Sequence, residues 1–240
     1  MKKLLLLLFI TVASINTLAQ TNIRASLGEI FRDFMVKTSG RRIEVLQDFT
    51  GFGGDKRFFS TRWLIGGATN NFDVEITDNF YFNFDFLEHD LYVQKKDTHI
   101  LVNTNYVKRF FILNENRVHY FVKNNQLDPQ GQLFFEAMGY NATKPDSMQV
   151  QLLKLRKVKR LRANKDDYLN NFNGDFSDVY DSNIQYYLAF PDQTIKKIKL
   201  TQKDLTKSLS AYTTEVKAFL NAFKDVSESN VGELIKGINK

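Results

Sequence analysis

Between residues 80 and 113 apolar and polar positions alternate almost one by one. Phe80, Phe82, Phe84 and Phe86 share one face of an extended strand, with Tyr81, Asn83 and Asp85 on the other. Successive strand side chains point to opposite faces, so such a run buries one side and wets the other. A helix would scatter the four rings around its axis. Leu91 to Val93, Ile100 to Asn103 and Tyr106 to Leu113 continue the pattern. Asp78-Asn79, Glu88 to Asp90 and Lys95 to Asp97 supply turn residues between these runs.

Strand patterns also flank this stretch. Upstream they cover Ile43 to Phe49, Phe58 to Ile65 and Phe72 to Ile76. Downstream they cover Val118 to Val122, Leu133 to Tyr140, Val150 to Leu161, Ile184 to Phe190 and Ile195 to Leu200. Asp128-Pro129-Gln130-Gly131 places Pro and Gly where a β-turn wants them. The polar, Asp- and Asn-rich stretch from Asn164 to Ser182 reads as a loop.

Helical spacing appears only at the ends. Ile23, Leu27, Ile30, Phe31, Phe34 and Met35 recur every three or four residues, with Gly40 just beyond. After Thr201 and Asp204, which resemble a capping box, come three more stripes. These are Leu205 and Leu209; Val216, Phe219, Leu220 and Phe223; and Val231, Leu234, Ile235 and Ile238. The expected fold is mainly β (α+β): a curled or barrel-like antiparallel sheet with an N-terminal helix and C-terminal helices. Curling is favoured because so many sequential strands otherwise leave exposed edges.

The leader changes the boundaries. Lys2 and Lys3, the apolar run Leu4 to Ile10 with Val12, and Thr17-Leu18-Ala19 have the make-up of an export signal, with cleavage expected after Ala19. Its apolar run is shorter than the ~20 residues a membrane span needs, and no later run is long enough. Residues 1–19 are therefore read as a signal peptide, 20–200 as a β-rich domain with its N-terminal helix, and 201–240 as a helical segment packed on the sheet. The expected location is the periplasm or outside the cell.

Composition then narrows the chemistry. The chain has no Cys, which removes disulfides, lipid attachment at cysteine, thiol nucleophiles and thiolate metal sites. An exported chain of this kind is held by its core, and 22 Phe and 10 Tyr provide one. Loss of Lys2 and Lys3 takes the formal charge from +6 to +4, too mild an excess to point to nucleic acid.

Few residues carry candidate chemistry. His89 lies among Asp85, Glu88 and Asp90, but a metal wants ligands converging from more than one element, and local acids at a strand end are usual turn formers. His99 and His119 each begin a strand pattern and could be neighbours across the sheet. No Gly-x-Ser-x-Gly elbow or His-Glu-x-x-His pair accompanies them. Asp85, Glu88 and Glu136 flank aromatic strands and are the candidates for a glycosidase-like carboxylate pair. Gly51-Phe52-Gly53-Gly54-Asp55-Lys56 looks like a phosphate loop, but it leads into a strand pattern rather than a helix, so it reads as a flexible loop. No catalytic residue, cofactor or metal is assigned.

The basic stretch after Val150 is the more promising surface. Lys154, Arg156, Arg160 and Arg162 share one face of its strand with Val158, opposite Leu153, Leu155 and Leu161. Such a row could hold phosphates or uronic acids through charge-assisted hydrogen bonds. It could equally protect a strand edge from unwanted pairing. Asp146-Ser147-Met148 also matches a short O-glycosylation acceptor pattern of Bacteroidota.

Several short motifs carry a resemblance. They are Trp63-Leu64-Ile65-Gly66-Gly67, Asn83-Phe84-Asp85 before Asp90-Leu91-Tyr92-Val93, Val107-Lys108-Arg109-Phe110, Phe134-Phe135-Glu136-Ala137 and Gln185-Tyr186-Tyr187-Leu188 before Ile198-Lys199-Leu200. Together they make the chain similar to exported, functionally uncharacterised β-rich proteins of Bacteroidota. That resemblance implies export and an antiparallel sheet with C-terminal helices, and it implies no activity.

The leading expectation is an exported, non-enzymatic binding or interaction protein of the cell envelope. Its partner would be an anionic envelope polymer, a lipid or another envelope protein. One alternative is an envelope glycan hydrolase using paired carboxylates; another is a β-barrel carrier of an apolar ligand. The carrier requires an open chamber behind Phe82 and Phe84. The hydrolase requires carboxylates converging in one pocket with a displaced pKa.

Overall fold

The computed structural model describes residues 54–77, 80–95, 98–161 and 179–240. The expected signal segment, the N-terminal helix, the strand Ile43 to Phe49, the Asp78-Asn79 turn and Arg162 lie outside these residues, as does most of the stretch from Asn164 to Ser182.

The described chain is one antiparallel sheet with helices at its C-terminal end. Its strands are β1 (Leu64–Asn70), β2 (Glu75–Ile76), β3 (Tyr81–Asp85), β4 (Asp90–Lys95), β5 (Thr98–Leu101), β6 (Val107–Asn114), β7 (Arg117–Val122), β8 (Phe135–Met138), β9 (Gln151–Leu161), β10 (Val179–Ala189) and β11 (Ile195–Ile198). The spatial order is β11-β10-β9-β8-β7-β6-β1-β3-β4-β5, with β2 paired to β1 alone. Two meanders, β6 to β11 and β3 to β5, are thus joined through β1. Leu64 and Ile65 pair with β3, while Gly66 to Asn70 pair with β6. The path ends at β5 and β11, so the sheet is not closed into a barrel.

The sheet does curl. Val158 of β9 packs against the cluster that holds Phe84 of β3, and the Arg156 guanidinium lies 4.9 Å from the Phe86 ring centre. Four strands separate β9 from β3 along the path, so only a coiled sheet brings these residues together.

Gly54–Arg57 forms α1, a single helical turn where a loop and then a strand are expected from sequence. The chain crosses the β3 end there, and that crossing changes the meaning of the aromatic run. Phe80, Phe82, Phe84 and Phe86 are buried as their alternation implies. Tyr81 is exposed, but Asn83 and Asp85 are fully buried as well. Asn83 Nδ2 donates to the Ser60 carbonyl at 2.7 Å, and Arg57 reaches Asp85. The segment from Arg57 to Arg62 therefore covers the face that alternation alone leaves wet.

The inner face holds two cores. The first is aromatic: Phe84 has the rings of Phe86, Phe110, Phe121 and Phe134 with centres 5.2–5.9 Å away, and Phe110 stacks on Phe121 at 4.6 Å. Aromatic pairs at these separations fill space and favour edge-to-face or offset geometry. The second core lies between β8–β11 and the helices α2 (Gln202–Ser208), α3 (Thr213–Ala222) and α4 (Glu228–Ile238). Met138, Val150, Leu152, Leu188 and Ile198 meet Leu205, Leu209, Val216, Phe219, Val231, Leu234 and Ile235 there. Thr201 caps α2 by accepting the Asp204 N–H at 3.2 Å, and Asp204 accepts the Lys199 N–H at 3.0 Å. Ser227 caps α4 by accepting the Asn230 N–H at 3.3 Å. A third cluster, including Val122, Phe135, Leu153 and Leu155, occupies the opposite face beneath Leu127 and Leu133.

Among the described residues, no helix is long and apolar enough to cross a membrane.

Candidate functional site

The basic face of β9 is the first place to look for a site. Leu152, Lys154, Arg156 and Val158 share the inner face, and they run from the helical core to the aromatic one. Lys154 and Arg156 occupy the seam between those cores rather than an open surface. Lys154 Nζ lies 2.8 Å from Glu228 Oε2 and 3.3 Å from Glu136 Oε2, and its side chain is 17 % exposed. Arg156 lies over Phe86, with its Nε buried and lacking a hydrogen-bond partner among the described residues. Arg160 is exposed. Of the row expected from sequence, the three cations within the described residues are therefore not equivalent, because curling folds Lys154 and Arg156 inward.

Strand register builds the seam. Glu136, Lys154 and Tyr186 face each other in adjacent strands β8, β9 and β10. His119, two residues before the Phe121 partner of Glu136, reaches the same carboxylate through Nδ1 at 2.7 Å. Tyr186 donates to Glu228 Oε1 at 2.5 Å. Glu228 also sits in the first turn of α4, where the helix dipole favours its charge.

This arrangement favours the charged form of Glu136. Burial disfavours its charge, but the His119 hydrogen bond and Lys154 outweigh that cost and hold the carboxyl below its ordinary range. A general acid working near neutral pH needs the opposite, a raised carboxyl. Burial and the Glu228 hydrogen bond likewise push the Tyr186 phenol above its ordinary range. The seam holds the cores in register. It does not present a free acid and base.

The other acid and histidine candidates each have separate surroundings. Asp85 Oδ1 accepts the Leu87 and Glu88 N–H groups, and Oδ2 takes Arg57 Nε at 2.9 Å and Nη2 at 2.6 Å. It is a turn former and ion-pair partner. Glu88 is exposed at that turn. His89 adopts a left-handed backbone, φ +54°, with Nδ1 buried and unpaired among the described residues, and burial lowers its pKa. His99 pairs with Gln94 on β5, whereas His119 pairs with Ile112 on β7, so the two are not neighbours. No group of three or more His, Asp or Glu that could hold a metal occurs among the described residues.

A different site emerges at one rim of the sheet. The turn after β1, the connection after β7, the turn before β9 and the β10–β11 hairpin converge there around a cleft of about 540 Å³. Half of its lining residues carry carboxamides, among them Asn71, Asn125, Gln126, Gln149, Gln151 and Gln193, and Phe190 with Pro191 adds carbon surface. Some of these amides serve the fold. Gln149 accepts from the Asn141 N–H and donates to the Asn141 and Lys144 carbonyls, which fixes the loop before β9. Asn124 accepts the Gln126 and Leu127 N–H groups in an Asx-type turn.

Gln151 is different. It is 5 % exposed and lines the cleft, yet its carboxamide has no hydrogen-bond partner among the described residues. Its cross-strand neighbour is the small Ala189, which leaves the space in front of it open. Its amide atoms open onto the cleft, where they are free to meet a ligand or water. Ser147, in the expected acceptor motif, stands exposed on the turn of Asp146–Met148 at the lip of this cleft.

Sequence reasoning passed over Gln151. Its one local mark is a polar side chain on the face that Leu153 and Leu155 bury. The rest of the cleft comes from connections far apart in the chain. Comparison with family models, with curated proteins and with solved structures finds no match, so the reading of the cleft rests on its geometry.

Proposed function

We propose that this is an exported, non-enzymatic binding protein of the cell envelope whose ligand seats in the rim cleft. The observation that carries the reading is Gln151, a largely buried residue in the wall of an open polar cavity whose carboxamide faces the cleft with no hydrogen-bond partner among the described residues. The basic, apolar and small-residue segments of the leader support export, as does the resemblance to exported β-rich proteins of Bacteroidota.

The two alternatives draw less support. A hydrolase would need a carboxyl with a raised pKa as general acid beside an ionised one, whereas Glu136 is shifted toward its charged form and Lys154 engages both Glu136 and Glu228. A carrier would need a chamber behind Phe82 and Phe84, where rings from β3, β6 and β7 are in mutual contact.

Retention on isolated envelope material tests the reading. The purified protein is expected to be retained on polysaccharide-containing envelope fractions, and Gln151→Leu is expected to reduce that retention. Equal retention of both proteins would overturn the cleft as the binding site, and no retention of either would overturn the binding role.

A further inference from the structure

The chemistry left free in the cleft identifies a class of ligand. Its charged groups are already engaged. Lys108 pairs with Asp73 at 2.7 Å, and Asp146 accepts the Tyr140 hydroxyl at 2.7 Å. Lys123 donates to the Thr104 carbonyl at 2.7 Å with its ammonium 5.2 Å from the Phe134 ring centre. What remains is neutral: both polar atoms of Gln151, those of Asn125, and the far ends of Gln126 and Gln193, which touch each other only at 3.4 Å.

A carboxamide offers a donor pair and an acceptor on one planar group, and a hydroxyl is likewise both donor and acceptor. A surface of free carboxamides therefore matches a ligand that presents many hydroxyls and no net charge. Phe190 and Pro191 give the same cavity a carbon surface, which suits the C–H faces of a saturated ring. The volume falls within the range of small-ligand sites, about 300–1,000 Å³. A phosphate or carboxylate ligand would call for an unpaired cation, and an acyl chain would call for an apolar wall.

We propose that the rim cleft binds a neutral sugar segment of an envelope glycan, with the Gln151 carboxamide in the cleft wall as its anchor and Asn125 as a peripheral contact. This rests on the reading of the cleft as the binding site and names the substrate class for it.

The test is a titration of the purified protein with neutral oligosaccharides, run beside polygalacturonate as the acidic counterpart. The neutral series would comprise malto-, cello-, manno- and chito-oligosaccharides. At least one neutral series is expected to bind, with an affinity that barely changes between about 0.05 and 0.5 M salt. Gln151→Leu is expected to weaken that binding about tenfold or more without lowering the melting temperature of the sugar-free protein. Asn125→Ala, at an exposed position, is expected to weaken it less, and it tests the site independently of folding.

Unchanged sugar affinity in both variants would overturn the site assignment. Binding of polygalacturonate alone, with steep salt dependence, would overturn the neutral class while leaving a binding role. If no sugar binds but retention on envelope fractions still depends on Gln151, the sugar is wrong and the cleft stands. If that retention is absent too, both fall.

Discussion

Asn239 holds Val150 by both of its backbone polar groups. Its Nδ2 donates to the Val150 carbonyl at 2.8 Å, and its Oδ1 accepts the Val150 N–H at 2.9 Å. The two residues are 89 positions apart, and both are buried. Val150 immediately precedes β9, where no strand partner supplies these bonds, so the end of α4 supplies them instead. Lys144 donates to the Asn239 carbonyl and secures the same junction.

Asn239→Ala strands one donor and one acceptor in the interior, at an expected cost of about 2–4 kcal/mol. Asn239→Asp keeps the acceptor but loses the donor, and is expected to destabilise as well. Urea unfolding measures both. A change under about 0.5 kcal/mol for Asn239→Ala would show that the clamp is dispensable.

The Arg57–Asp85 pair is expected to be the most sensitive ion pair among the described residues. The Asp85 side chain is 0 % exposed and that of Arg57 19 %. Arg57→Met leaves a buried carboxylate unpaired, with an expected loss of about 3–5 kcal/mol. Adding Asp85→Asn preserves the turn acceptor for Leu87 and Glu88 and removes the stranded charge. The double variant should therefore recover part of the loss in a thermal melt. Strict additivity of the two changes would contradict the pairing.

Glu136 makes a prediction about acid. Its pKa lies below the ordinary value in the fold, so its contribution is complete above the unfolded value of about 4.3 and is lost as pH falls through the lower folded value. Glu136→Gln is expected to cost about 1–3 kcal/mol at neutral pH. The stabilities of parent and variant should converge in strong acid, where the parent carboxyl is protonated too. Parallel pH profiles would refute this.

His89 acts on a different pH range. Burial lowers its pKa despite nearby Asp85, Asp128 and Glu88, with Lys157 reinforcing the shift. The unfolded chain then binds a proton more readily than the fold, so stability should decline as pH drops below about 6.5. His89→Asn retains a residue type tolerant of the left-handed backbone and removes the titration. Its denaturation midpoint should fall less between about pH 7 and 5.5. An equal fall in parent and variant would place the acid sensitivity elsewhere.

Alternation along the chain revealed the sheet and the inward set Phe80, Phe82, Phe84 and Phe86, because period-two burial is local information. It did not reveal that Asn83 and Asp85 are buried. Their cover comes from residues 57–62, and nothing in the Phe80 run encodes it. The same limit applies to β9. Local spacing placed Lys154 and Arg156 on one face, but Glu136 and Glu228, which neutralise Lys154, arrive from other elements. The rim cleft is less legible still, since it exists only where four separate connections meet.

The double allegiance of β1 has a kinetic consequence. The strand exchanges β3 for β6 at Ile65–Gly66, and a Cβ at Gly66 would collide with the Phe111 carbonyl oxygen and come within 2.8 Å of the Phe82 ring. Gly66 to Asn70 pair with residues roughly 40 positions later, after the β3–β5 meander has been laid down. That meander can form early from near-neighbour contacts. The seam between β1 and β6 must close a long loop before any pairing there rewards it, which slows the step. A newly synthesised chain therefore carries an unpaired strand edge until β6 is available, and during that interval it is open to capture by a chaperone or by another copy of itself.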